Sequence, residues 1–149
     1  MHATLNRDYS LLVGSYSDLE ALAHRPYAPV PGKGIYAMTL TRGGALRLNH
    51  VTEALNPAVL IPHSDGKTLY AICETIRDEG EVRRYTVNRD GTLTYHDAFR
   101  ASGRSTCYLA LSPRKDAAIV INYWDAIIDV VDADAEGRLG PVRQPFKQY

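Results

Sequence analysis

Only two cysteines occur in 149 residues, too few for a disulfide-built scaffold. Cys73 and Cys107 both lie in apolar runs of strand character, which predicts buried free thiols and a reducing compartment. Excess charge is missing as well, since 17 basic residues balance 17 acidic ones. Without a basic stripe, binding to nucleic acid or to a membrane surface is not expected. No apolar run approaches the ~20 residues that span a bilayer. The opening MHATLNRDYS lacks the basic segment and apolar core of a secretory signal, so a cytoplasmic protein is expected. Catalytic signatures are also scarce. No G-x-S-x-G elbow marks a serine hydrolase. His2, His24, His50, His63 and His96 have no metal-site spacing, and no metal or other cofactor is expected. Gly32-Lys33-Gly34 with Ala37 copies a dinucleotide-binding pattern but opens a strand, so no helix N-terminus would meet a pyrophosphate. Asp132, Asp134, Glu136 and Gly137 copy the start of a calcium loop, yet Arg143 stands where a bidentate Glu is required. No stretch carries a helical period. The ten tyrosines are scattered as strand formers and make no stacking platform.

What the chain does have is an internal repeat. NPAVLIPHSDGKTLYAICE (Asn56 to Glu74) returns 49 residues later, without a gap, as STCYLALSPRKDAAIVINY (Ser105 to Tyr123). GIYAMTLTRGGALRL (Gly34 to Leu48) returns as GEVRRYTVNRDGTLTY and again as AIIDVVDADAEGRLGPV, with Leu46, Leu93 and Leu139 spaced by 47 and 46. Periods of this size, with several short strands per unit, are the signature of propeller blades.

Strands are predicted near Ser10–Tyr16, Gly34–Thr41, Ala45–Val51, Ala58–Pro62, Thr68–Glu74, Glu81–Asn88, Thr92–His96, Cys107–Leu111, Ala117–Asn122 and Ala126–Asp132. Gly43-Gly44, Asp90-Gly91 and Glu136-Gly137 fall at matching places and supply hairpin turns. Ala117–Ile121 is apolar without alternation, which predicts a strand buried on both faces. Asp18–Gly32, with Pro26, Pro29 and Pro31, is a long connection, either functional or a plain surface insertion.

The fold class is therefore all-β, a β-propeller of about three blades, with residues 1–149 in one domain and a loop insertion at 18–32. Closed propellers use about 4–8 blades, so the ring is incomplete. Either the chain is the N-terminal part of a longer protein, which is the preferred expectation, or its uncovered blade faces must self-associate. The final residues, Gln144–Tyr149, look like an end without a capping element.

Several segments also resemble a known family. LLVGSYS (Leu11 to Ser17) followed by KGIYAMTL (Lys33 to Leu40) resembles the opening of the lactonase family of seven-bladed propellers. NPAVLIPHSDGKTLYAICE, CYLALSP and VINYWDAIIDVVDADAEGRLGPV are similar to its succeeding segments. The family includes bacterial 6-phosphogluconolactonases and fungal carboxy-cis,cis-muconate cyclases. The resemblance implies a small-molecule lactone as substrate, hydrolysis of 6-phosphogluconolactone as first candidate, and lactone-forming cyclisation as second. Two departures stand out. Tyr108 occupies a position where the family usually has His, and the segments ascribed to its active site lie beyond Tyr149. A non-catalytic propeller whose rim binds proteins is therefore a third expectation.

Lactone opening needs a general base for water and donors for an oxyanion, and an anionic substrate needs Arg or Lys. Blade geometry groups the candidates. Asn56 and Arg104-Ser105 precede innermost strands, while Tyr16, Glu74 and Tyr123 end second strands, so all should share one mouth of the axial channel. Glu74 is either the base or substrate anchor, or a strand-end carboxylate that is solvated or paired with Arg77. Arg104 is either an anion ligand or a solvated loop arginine, and Lys33 and Arg25 are weaker candidates of the same kind. Asn56 and Asn122 either touch substrate or satisfy backbone groups at turns. Tyr108 either faces the channel or packs inside a blade. Tyr16 and Tyr123 are expected to pack.

Overall fold

The computed structural model describes residues 5–24, 26–27 and 30–148. Its strands are β1 (Tyr9–Gly14), β2 (Gly34–Leu40), β3 (Leu46–Glu53), β4 (Pro57–Pro62), β5 (Thr68–Cys73) and β6 (Glu81–Val87). They continue with β7 (Leu93–Arg100), β8 (Thr106–Leu111), β9 (Ala117–Asn122), β10 (Ile127–Ala133) and β11 (Leu139–Lys147). They form three antiparallel sheets, β1-β2-β3, β4-β5-β6-β7 and β8-β9-β10-β11, here called blades 1, 2 and 3. The all-β propeller expected from the repeat is what forms, as three blades of an incomplete ring. Blade 1 has no counterpart of the innermost strands β4 and β8 among the described residues.

Three expectations are corrected. The tail read as lacking a structural element is β11, the fourth strand of blade 3. Its Pro141 and Pro145 suit an outermost strand, where a missing N–H faces no partner. The strand buried throughout is β5, not β9. Blade 2 is flanked on both sides, whereas Ile119 of β9 is 39% exposed because no sheet covers that face. Cys73 is buried as expected, but Cys107 is only half-buried. Among the described residues of the 18–32 connection there is one 3-10 turn, Leu19–Ala21, capped by the Asp18 side chain.

Two apolar layers join the blades. Ile35 and Ala54 of blade 1 pack with Leu69, Ala71 and Tyr85 of blade 2. On the other side, Tyr70, Ile72, Val82 and Phe99 of blade 2 pack with Leu109, Ala118, Val120 and Val131 of blade 3. Period-2 alternation sends Leu69 and Ala71 to one layer and Tyr70 and Ile72 to the other. Full burial of each such side chain contributes about 1.5–3 kcal/mol.

Polar bolts fix the second joint. The buried Tyr70 hydroxyl donates to the Gly137 carbonyl at 2.6 Å, and Arg84 Nη1 donates to the Glu136 carbonyl at 2.9 Å. Both grip the β10–β11 turn. Gly137 has φ of 74°, and a Cβ there would lie 2.7 Å from the Tyr70 oxygen. Only glycine meets both demands. Arg84 is itself held by Asp97, whose carboxyl it keeps below the usual carboxylate range.

Tyr70→Phe removes one donor from a buried carbonyl. It is expected to lower stability by about 1–3 kcal/mol, read as a lower urea midpoint with an unchanged denaturant slope.

Candidate functional site

The segments that precede β4 and β8 and follow β1 and β5 are hydrogen-bonded to one another at one end of the sheets, and Glu74 sits among them, one residue past the end of β5. Its carboxylate accepts a 2.6 Å hydrogen bond from Ser105 Oγ, across the joint to blade 3. Its other oxygen accepts from the Tyr16 hydroxyl of blade 1 at 3.3 Å. One half-buried carboxylate is thus held by hydroxyls from both neighbouring blades. Burial, and then the charge of Glu74, push the Tyr16 phenol up from its ordinary value, so it stays protonated and donating near neutral pH. Arg77 is not the partner of Glu74. It pairs instead with Asp18 at 2.7 Å and reaches Glu20 at 3.8 Å.

The repeat explains how Ser105 reaches Glu74. Asn56 and Ser105 occupy equivalent places before β4 and β8, and both are left-handed, with φ of 40° and 53°. Each carbonyl accepts the N–H of the residue that ends the hairpin it opens, Glu74 N (after β5) to Asn56 O and Tyr123 N (after β9) to Ser105 O, both at 3.0 Å. The side chains then diverge. Asn56 is fully buried, and its Oδ1 accepts from the N–H groups of Ser17 and Asp18 at 2.8 Å. Its Nδ2 donates to the carbonyls of Asp18 and Glu74. The amide is saturated by backbone and has nothing left for a ligand. It ties the start of the long connection to the mouth, as blade geometry requires.

The remaining candidates are distributed as follows. Asn122 is fully buried, accepts from Thr106 Oγ1 at 2.7 Å and donates to Asp129 at 2.9 Å. Arg104 is at the mouth, but its guanidinium forms a fork with Asp125, with bonds of 2.8 and 3.2 Å. That pairing raises the Arg104 pKa and holds Asp125 below the usual carboxylate range. Tyr108 stands on the open face of blade 3, opposite Ile121, and is 49% exposed. Tyr123 is exposed rather than packed and stands 6.5 Å from the His24 ring, centroid to centroid. Lys33 lies in a cleft of about 470 Å³ between blades 1 and 2, with Glu53 and Arg83. Arg25 lies outside the described residues.

Ser105 and Asp125 are the partners that sequence reasoning missed. Equivalence to Asn56 places Ser105 at the same mouth, but not its hydroxyl on Glu74. Asp125, two residues beyond Tyr123, gave no signal.

A carboxylate has about four lone-pair sites, and Glu74 uses two. The rest leave it able to take a proton from water or to orient a hydroxyl. Cys107 is close enough to feel the Glu74 charge. Burial first, then that charge, raise its thiol pKa, so it is a poor nucleophile at neutral pH. Among the described residues, no group of three or more His, Cys, Asp or Glu could hold a metal ion.

Residues 10–149 match the family model described as Lactonase, 7-bladed beta-propeller. Among solved structures, the chain is similar to a candidate 6-phosphogluconolactonase from Bacteroides fragilis, at 25% identity and a TM-score of 0.76, over 98% of this chain and 38% of that one. It is also similar to the periplasmic gluconolactonase of Pseudomonas aeruginosa, at 23% identity and a TM-score of 0.79, over 93% of this chain and 38% of that one. A candidate 6-phosphogluconolactonase from Bacteroides uniformis shares 21% identity at a TM-score of 0.76, over 95% of this chain and 38% of that one. The chain thus spans well under half the length of these structures. No curated protein matches it.

Ser105→Ala and Ser105→Gly both remove the hydroxyl that holds Glu74. Only glycine relieves the left-handed backbone, a difference of about 1–2 kcal/mol. The glycine variant is therefore expected to be the more stable of the two in thermal unfolding.

Proposed function

The chain belongs to the seven-bladed β-propeller lactonase family, and from that premise we propose that the molecule hydrolyses a sugar lactone at the mouth around Glu74. 6-Phosphogluconolactone is the first substrate to try. The observation that supports this reading is the Glu74 carboxylate, held between the hydroxyls of Ser105 and Tyr16 from the two flanking blades.

In the proposed step, Glu74 removes a proton from water as its oxygen bonds to the lactone carbonyl carbon. The carbonyl electrons move onto oxygen, and the tetrahedral species collapses. The ring C–O bond then breaks, and the departing alkoxide takes back the proton that Glu74 removed from water, which gives the hydroxy acid and restores the carboxylate. Hydroxyl partners suit this role. They orient the carboxylate and leave two of its lone-pair sites open to water. Arg104 presents a guanidinium that Asp125 already holds in place, so a substrate phosphate would share it rather than find it free.

That commitment of Arg104, with the saturated Asn56, favours one rival, a non-catalytic rim. The two are separated by following acid release from 6-phosphogluconolactone above its spontaneous rate. If Glu74 is the base, Glu74→Gln is expected to lose about 10²–10⁴-fold in rate while keeping the wild-type circular dichroism. An undiminished rate would move the base elsewhere, and a folded wild-type protein with no excess rate would favour the non-catalytic rim.

A further inference from the structure

The two oxygens of the Glu74 carboxylate have unlike surroundings. Oε1 accepts from Ser105 Oγ at 2.6 Å, and Ser105 is fully buried, so nothing in solution reaches that contact. Oε2 accepts from the Tyr16 hydroxyl at 3.3 Å, and Tyr16 is 37% exposed. The buried bond anchors the carboxylate. The exposed one lies where a water and a substrate can arrive.

One side chain holds the backbone beside both members of the exposed pair. Asn56 Oδ1 accepts from the N–H of Ser17, next to Tyr16, and Asn56 Nδ2 donates to the Glu74 carbonyl at 3.1 Å. The Gly32 N–H, at 2.7 Å, fastens the Tyr16 carbonyl from the far end of the 18–32 connection. Tyr16 and Tyr123 hold equivalent places in the repeat, yet Tyr16 meets Glu74 whereas Tyr123 stands against the His24 ring. The Cys107 thiol also feels the Glu74 charge, but it donates to the Ile121 carbonyl at 3.7 Å.

Lactone opening moves a proton from the attacking water to the ring oxygen. Both oxygens are bonded to one carbon in the tetrahedral species, so the base and the acid that serve them must be close neighbours. We propose that Tyr16 is the acid, relaying to the departing oxygen the proton that Glu74 takes from water. This rests on Glu74 being the base. While Glu74 is charged, Tyr16 donates to it. Once Oε2 carries the water proton, that hydrogen bond reverses, because a hydroxyl can accept as well as donate. As the ring C–O bond breaks, its electron pair stays on the ring oxygen and takes the Tyr16 hydrogen. The Tyr16 oxygen takes the proton from Oε2. One water has then been added across the C–O bond, and both side chains are restored.

The test compares two lactones in the wild type, Tyr16→Phe and Glu74→Gln, with circular dichroism reporting that each variant stays folded. 6-Phosphogluconolactone releases an alkoxide, which needs a proton as it leaves. Dihydrocoumarin releases a phenolate, which does not. Tyr16→Phe should lose about 10²–10⁴-fold on the sugar lactone, with a loss at least about tenfold smaller on dihydrocoumarin. Glu74→Gln should lose on both. An equal loss on the two lactones in Tyr16→Phe, which is what a residue that only positions Glu74 would give, overturns the relay and leaves the base standing. So does no loss on either. A Glu74→Gln protein with an undiminished rate, or a wild type inactive on both lactones, overturns base and relay together. If the wild type opens only the sugar lactone, imidazolium buffer at constant pH decides. A Tyr16→Phe rate that rises with its concentration supports the relay, and a flat one overturns it.

Discussion

A propeller blade is a sheet with two apolar faces, and no blade can cover either face by itself. Blade 2 has a neighbour on each side, and its β5 is buried from end to end. Blades 1 and 3 have one neighbour each, and their exposed large apolar residues include Val13, Leu48, Tyr108, Ile119 and Ile128. Interblade contact therefore does more than stabilise the fold. It sets the angle between sheets, and through that angle it decides which turn residues meet at the axis. The Tyr70 hydroxyl and the Arg84 guanidinium pin the second joint by gripping one turn.

The mouth depends on the same joints. Glu74 belongs to blade 2, but its two hydrogen-bond donors come from blades 1 and 3. Elsewhere on this rim, charges are paired with opposite charges, Arg104 with Asp125 and Arg77 with Asp18. Glu74 instead meets neutral hydroxyls, which hold a carboxylate in place while leaving it able to accept a proton. The left-handed backbone at Ser105 makes this possible. It lets the carbonyl bond to Tyr123 while the hydroxyl reaches back across the joint.

Much of the architecture was legible in the chain because hairpins are local. Glycine-containing turns at fixed intervals located the blades, and ten of the eleven strands could be marked within a few residues. β11 escaped because its prolines and polar residues resemble a tail; an outermost strand tolerates both. The apolar run of β9 was misread for a different reason. An apolar sequence says that both faces would accept cover, not that cover is present. At the site, the shared rim of Tyr16, Glu74 and Tyr123 followed from repeat equivalence. The pairing of Arg77 with Asp18 rather than with Glu74, three residues away, did not, because a surface arginine chooses among carboxylates by where the loops lie.

The amino-acid order by itself determined the sheet class, the blade period and the set of residues delivered to one end of the sheets, since each rests on turn chemistry and alternation within some fifty residues. Tertiary structure alone decided that Ser105 and Tyr16 hold Glu74, that Asp125 occupies Arg104, and which faces stay open. Those outcomes depend on how closely one sheet approaches the next. That distance is set by packing volume across the joint and is written in no local stretch of sequence.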